Sequence, residues 1–394
     1  MSVDPARCPH PRWSPGGAVR AVVGLYNLAM TDTAEATHYH RLQLRLAVGR
    51  LALTAAFFFA VLASGATHRL AEAAARLTVA PALQVAIVAL TLGVAHAALG
   101  LPLAWLGGFH WPRRFGLLHQ SLRGWLVDRA KAAALGGLVA LAGVEALYVL
   151  LRMTPLWWLG MAAIAFAFSI LVTAVLPIWV LPLFYRLTPL ADESLRARLL
   201  ALAGQAGVPA LGVWVADQSR KSRTANAAVV GLGRTRRILL YDTLTASFRP
   251  EEIEAVLAHE LGHHVHGDMR RGLLVQGALS LVMFWLADAA LHVGIGVWGL
   301  SGPADPAGLA WLALIALGLG LITAPLANGF SRVLERQADD FALALTRNPR
   351  GFIGAMERLA SLNLAERRPH RLKELMLYSH PALDRRIARA RATL

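Results

Sequence analysis

Six apolar stretches dominate the chain, near positions 47–66, 79–107, 132–151, 156–185, 271–298 and 307–330. Each approaches or exceeds the roughly 20 residues a helix needs to cross a bilayer, so they read as six membrane spans. Composition agrees, with 56% hydrophobic and 16% charged residues, where a soluble domain carries about 25% charged. The second, fourth and fifth stretches are long enough to tilt or kink, and Pro177 and Pro182 mark a break in the fourth.

The formal net charge of +15 raises the question of nucleic acid, but its distribution argues otherwise. Basic residues gather after the second span (Arg113, Arg114, Arg123, Arg129, Lys131), after the fourth (Arg220, Lys221, Arg223, Arg234, Arg236, Arg237) and in the C-terminal tail. The loop at 299–308 holds no Lys or Arg. The positive-inside rule then places both termini and the large segment after the fourth span in the cytoplasm. No aromatic-interleaved basic module appears, which excludes a nucleic-acid partner. Residues 1–46 show no clean signal-peptide pattern and read as a cytoplasmic lead-in, with Met30 as an alternative start. Cys8 is the single cysteine, so intramolecular disulfides and thiolate metal sites are excluded. The tail ends Ala392-Thr393-Leu394 without a prenylation box.

Between the fourth and fifth spans the pattern changes to that of a soluble fold. Asp192–Ala206 reads as an amphipathic helix and Gly212–Ala216, Ala225–Gly231 and Arg237–Tyr241 as strands. A helix follows from Arg249-Pro250-Glu251-Glu252 and carries His259-Glu260-Leu261-Gly262-His263. H-E-x-x-H on a helix sets two imidazoles one turn apart with a carboxylate beside them, which is half of a catalytic zinc site. Glu260 can reach a metal-held water without binding the metal, as a general base must. A third ligand is needed, and the helix at 331–342 offers Glu335 and Asp339 at i, i+4, one to ligate and one to orient a ligand imidazole. Alone, that segment would read as a solvated charged helix. His264, turned about 100° from His263, stays outside the ligand set with His266 and Asp268.

Asn226 and Ala227 mark a strand edge on which a substrate backbone could add, against the plainer reading of a strand after a polar turn. His380 before Pro381 would ordinarily be a capping or core residue. The helical run Leu383–Ala390 carries Arg386 at a spacing that lets both side chains turn toward one site and stabilise an oxyanion.

The ordered set His259-Glu260-Leu261-Gly262-His263, Ser331-Arg332-Val333-Leu334-Glu335-Arg336-Gln337-Ala338-Asp339 and Tyr378-Ser379-His380-Pro381-Ala382-Leu383-Asp384-Arg385-Arg386 resembles the type I CAAX prenyl endopeptidases. Asn226-Ala227 and the run from Gly231 to Leu244 extend the resemblance, which covers most of the chain from about residue 90. It implies an integral-membrane metallopeptidase with one Zn2+ per chain, held by His259, His263 and Glu335. Glu260 is then the general base, Asp339 a carboxylate behind a ligand, and His380 and Arg386 contacts to substrate or oxyanion. It also implies a water-filled chamber among the spans, which would explain His96, Glu145, Asp288 and His292 inside them, local pairing being the alternative. Eukaryotic relatives have one further span near the N-terminus. The Arg- and Ala-rich, Lys-poor composition suggests a bacterial member in the inner membrane.

The expected fold is therefore a mainly α membrane protein, with about six transmembrane helices around a hydrated chamber and a cytoplasmic α+β zincin-like catalytic domain. Its expected parts are a lead-in at 1–46, spans one to four at 47–187, the edge strand and H-E-x-x-H helix at 188–270, spans five and six at 271–330, and the third-ligand helix with a C-terminal catalytic segment at 331–394. The expected activity is peptide-bond hydrolysis of a peptide or protein substrate, membrane-associated or lipidated among the options. A quality-control protease of the heat-shock type and a non-catalytic zinc-binding scaffold or transporter are the alternatives.

Overall fold

The computed structural model describes residues 15–175, 179–231 and 236–394, with side chains from 34 onward, Ala174 apart. Cys8, Pro177 and Arg234 lie outside the described residues. Helix α1 (Pro15–Ala63) is followed by α2 (Ala66–Leu77) and α3 (Pro81–Trp105), which continues through a π-helical turn at Leu106–His110 into α4 (Trp111–Arg114). Then come α5 (Leu122–Met153), started by Ser121 accepting from the Gly124 amide, and α6 (Trp157–Val175). Helix α1 passes through position 46 without interruption, although the sequence suggests a boundary there.

Among the described residues five helices are long and apolar enough to cross a membrane: Ala34–Ala63, Pro81–Arg114, Leu122–Met153, Asp268–Trp298 and Pro306–Thr346. The expected fourth span is represented by a shorter apolar helix, Trp157–Thr173, and Pro182 lies in a short 3-10 turn at Leu181–Leu183. Inside the bundle, Val85, Tyr148, Trp157, Leu291 and Ile315 form one packed cluster, while Leu138, Leu171 and Ile322 point outward, as lipid-facing side chains do. Three of the four ionisable residues noted within the spans have local partners. Asp288 accepts from Trp157 Nε1 at 2.6 Å and its carbonyl contacts His292 Nδ1 at 2.8 Å. His96 meets Thr54 Oγ1 at 2.9 Å, and both carboxylate oxygens of Glu145 are buried without a hydrogen bond.

Strand β1 (Leu187–Pro189), α7 (Glu193–Gln205), β2 (Val213–Ala216), β3 (Ala227–Val230) and β4 (Arg237–Tyr241) build one sheet with its covering helix. The strand order is β1-β2-β4-β3, with β2 and β4 parallel and the outer pairs antiparallel. Helices α8 (Asp242–Ser247), α9 (Pro250–Val265), α10 (Asp268–Trp298), α11 (Leu309–Thr346), α12 (Pro349–Leu362), α13 (Arg371–Leu377) and α14 (Leu383–Arg391) complete the fold. Leu199, Ile238, Leu240, Leu257, Leu261 and Phe352 form the core between sheet and helices. The halves are joined at Lys221, whose Nζ meets Asp128 of α5 at 2.5 Å and lies 4.6 Å from the Tyr185 ring centre.

Candidate metal centre

Helix α9 begins at a capping arrangement in which Glu252 accepts from the Arg249 amide at 2.8 Å, with Pro250 in the first turn. Glu252 is itself buried and gripped by Arg358 at 2.7 Å, which fixes the helix start against its neighbours. Its inner face packs Ile253, Val256, Leu257 and Leu261 into the core, leaving His259 and His263 on the side that faces α11.

The approach of α11 depends on Gly262. A Cβ there would lie 3.0 Å from Ala338 Cα and 3.3 Å from the Ala338 carbonyl oxygen, so only glycine lets the two backbones come this close. That contact brings Glu335 to the imidazoles. His259 Nε2 lies 3.3 Å from His263 Nε2 and 3.3 Å from Glu335 Oε2, and His263 Nε2 lies 3.6 Å from Glu335 Oε1. His259, His263 and Glu335 thus form a group able to hold a metal ion.

Each imidazole is backed by a carboxylate at its other nitrogen. His259 Nδ1 meets Asp339 Oδ1 at 2.9 Å, and His263 Nδ1 meets Asp268 Oδ2 at 2.9 Å. These pairings place the ring protons on Nδ1 and turn both Nε2 lone pairs toward Glu335. With both rings neutral, two lone pairs and a carboxylate converge, a donor set suited to a cation. Burial disfavours a charged His259, but Asp339 and Glu335 outweigh it and push its pKa up to about 9.

Arg386 holds Asp339 from α14 through two hydrogen bonds, Nε to Oδ2 at 2.8 Å and Nη2 to Oδ1 at 2.6 Å. His380 sits with Nδ1 2.7 Å from Glu335 Oε2, on an otherwise exposed ring. Glu260 has no hydrogen bond among the described residues, and burial pushes its carboxyl up. Seven of the nine residues singled out from the sequence therefore gather here: His259, His263, Glu335, Glu260, Asp339, His380 and Arg386. Asp268 belongs with them although the sequence reading sets it aside. Its signal is the preceding Gly267, whose φ of 67° ends α9 and folds the first residue of α10 back onto His263.

Asn226 and Ala227 stand apart, Ala227 opening β3 at the sheet edge and Asn226 just before it. The Tyr241 amide donates to the Asn226 carbonyl at 3.0 Å, so alternation turns the backbone groups of Ala227 and Val229 toward the open side. Asn226 Oδ1 takes the Ala227 amide at 2.9 Å and His264 Nε2 meets the Val229 carbonyl at 3.0 Å. His264 thus anchors the edge strand to α9, away from the metal-facing group.

Long apolar helices bearing a largely buried His-His-Glu group beside an unbonded glutamate are the features of a membrane metalloprotease. Comparison with known proteins agrees: a family model described as Peptidase family M48 matches residues 189–394, and one described as CAAX prenyl protease N-terminal, five membrane helices, matches residues 27–186. The chain belongs to peptidase family M48. A Bacillus subtilis protein described as an uncharacterized metalloprotease, YhfN, is 27% identical over 84% of this chain and 79% of its own. CAAX prenyl protease 1 of Saccharomyces cerevisiae is 34% identical over 41% of this chain and 36% of its own length. The crystal structure of S. mikatae Ste24p shares the fold, with a TM-score of 0.78 and 23% identity over 91% of this chain and 89% of that one.

Proposed function

We propose that this chain is a zinc-dependent endopeptidase that hydrolyses peptide bonds at the membrane. The observation that carries the reading is the spacing of 3.3, 3.3 and 3.6 Å among the His259, His263 and Glu335 donor atoms. Ligands about 2.0–2.1 Å from a tetrahedral zinc lie roughly 3.3–3.4 Å apart, so these residues fit that ion with one corner left for water. Zinc bound there would acidify water and polarise the scissile carbonyl. Glu260, its carboxyl raised by burial, takes the proton of the attacking water and delivers it to the leaving amine. His380 orients Glu335 and faces the solvent side, where it can donate to the oxyanion. Arg386 is committed to Asp339 and acts through it, so its part is to position the His259 pair. With the Ala227 amide taken by Asn226 and the Val229 carbonyl by His264, the Ala227 carbonyl and the Val229 amide are the groups on the open side of β3 that support substrate addition along that edge.

A substrate at the membrane surface fits the cavity of about 400 Å³ between α1 and the 373–380 segment, where Leu44, Ala47 and Leu377 share a wall with His380. We read the shorter α6 as a sixth crossing and the catalytic side as cytoplasmic, in the inner membrane of a bacterium. Cysteine labelling from each side of sealed vesicles tests that orientation. Function is tested by zinc content and cleavage of a quenched fluorescent peptide in detergent for wild type and Glu260→Gln. Equal zinc with cleavage confined to wild type supports the proposal, and equal cleavage by both removes Glu260 from it. Farnesylated and unprenylated versions of one peptide then separate a CAAX-like substrate from general quality control.

A further inference from the structure

Helices α11, α13 and α14 enclose a cavity of about 650 Å³ whose wall carries Arg332, Arg336, Arg371, Arg385, Arg386 and Arg389. Three of these are matched by carboxylates: Arg385 by Glu374, Arg386 by Asp339 and Arg389 by Asp340. Arg332 donates to the carbonyls of Glu374 and Tyr378, which leave its charge uncompensated. Arg336 and Arg371 are exposed and have neither hydrogen bond nor ion pair among the described residues. The wall therefore gathers three uncompensated positive charges, a site built for an anion.

Its place in the fold identifies the anion. Arg332 and Arg336 lie two and six residues beyond the apolar stretch of α11 that ends at 330, at the level where a span leaves hydrocarbon. Helix α13 is tied to the same level, because Asn328 donates to the Met376 carbonyl at 3.0 Å and Arg332 to that of Glu374 at 3.0 Å. It exposes Leu372, Leu375, Met376 and Leu377, and Leu375 is also on the cavity wall. A free anion has no use for such an apolar rim, whereas a phospholipid needs cationic groups for its headgroup and apolar surface for its chains. We propose that this cavity binds the phosphate of an anionic phospholipid from the leaflet on the catalytic side, with the acyl chains lying along α13.

The test is retention of phosphatidylglycerol by purified full-length protein after exposure to vesicles of phosphatidylcholine and phosphatidylglycerol in equal parts, read by native mass spectrometry. Wild type should retain phosphatidylglycerol in preference to phosphatidylcholine. Arg336→Gln with Arg371→Gln should lower that retention roughly 30-fold, about fivefold per arginine, with zinc content unchanged. Arg336→Lys with Arg371→Lys keeps the charges and should retain most of the lipid, which separates loss of the site from loss of fold. Arg113→Gln with Arg114→Gln, at the end of α4, should behave as wild type. Equal retention by the glutamine pair and wild type overturns the proposal, as does an equal loss from the Arg113 and Arg114 control. Binding of inorganic phosphate with no preference between the two lipids would make this a free-anion site, and displacement of lipid by an acidic substrate peptide would make it a substrate subsite; either result overturns the lipid assignment.

Discussion

His259 and His263 are held from behind by carboxylates in different surroundings, and the difference sets what each substitution does. Asp339 is buried and clamped by the nearly buried Arg386, while Asp268 shares its charge with Arg271, a third of whose side chain reaches solvent. Asp339→Ala leaves Arg386 buried and unpaired, so it should cost about 3–5 kcal/mol of stability besides weakening zinc binding. Asp268→Ala should lower zinc affinity by about 10–100-fold with little change in melting. Chelator competition and thermal denaturation of the two variants check this contrast. Asp339 was readable from its i, i+4 relation to Glu335, whereas Asp268 was hidden because the turn at Gly267 breaks the helical period that relates it to His263. The His259 pKa of about 9 lies above its ordinary value of 6.5, so the proton on His259 stabilises chelated protein fully below about pH 6.5 and ceases to as pH rises through about 9. Chelated protein should therefore lose up to about 3 kcal/mol over that window. Zinc competes with the same proton, so its affinity should climb roughly tenfold per pH unit toward pH 9. Melting with and without chelator at pH 6.5 and 9 reads both effects, and a flat response would remove the Asp339–His259 coupling as their cause.

At the scale of elements, the crossing of α9 and α11 decides whether a metal site exists at all. Gly262→Ala puts a methyl 3.0 Å from the Ala338 backbone, which cannot rotate away. Overpacking of this kind costs about 1–3 kcal/mol, and the displacement acts directly on Glu335, three residues earlier on α11. Zinc binding by Gly262→Ala should fall more than its melting temperature suggests, measured by metal content after dialysis against a weak chelator. The three strands and the helices carrying the motif were legible because each has a clear period and a capped or turned end. Strand β1 was not, since three residues ending in Pro189 at a sheet edge carry too little alternation to register. Arg386 was legible as a site residue, but its pairing came only with α14 folded against α11, where its Nε and Nη2 both donate to Asp339.

Over the whole molecule, the membrane and catalytic halves are less separable than their compositions imply. Lys221 enters from the catalytic side and meets Asp128 of α5, which also accepts from Gln120 at 2.7 Å. Lys221→Met removes the positive partner of a half-buried carboxylate, and a loss of up to about 3 kcal/mol is expected. The variant should melt earlier while its zinc content stays intact; unchanged melting would show that the helices alone hold the halves together. The change of composition near residue 330 suggested a boundary, yet α11 runs from Leu309 to Thr346 through it. Glu335, the proposed third metal ligand, is thus borne on the same continuous helix as the apolar stretch long enough to cross a membrane. A cut that discards the hydrocarbon part of α11 would leave the Glu335 end held by its crossing with α9 at Gly262 and by the Asp339–Arg386 pair to α14.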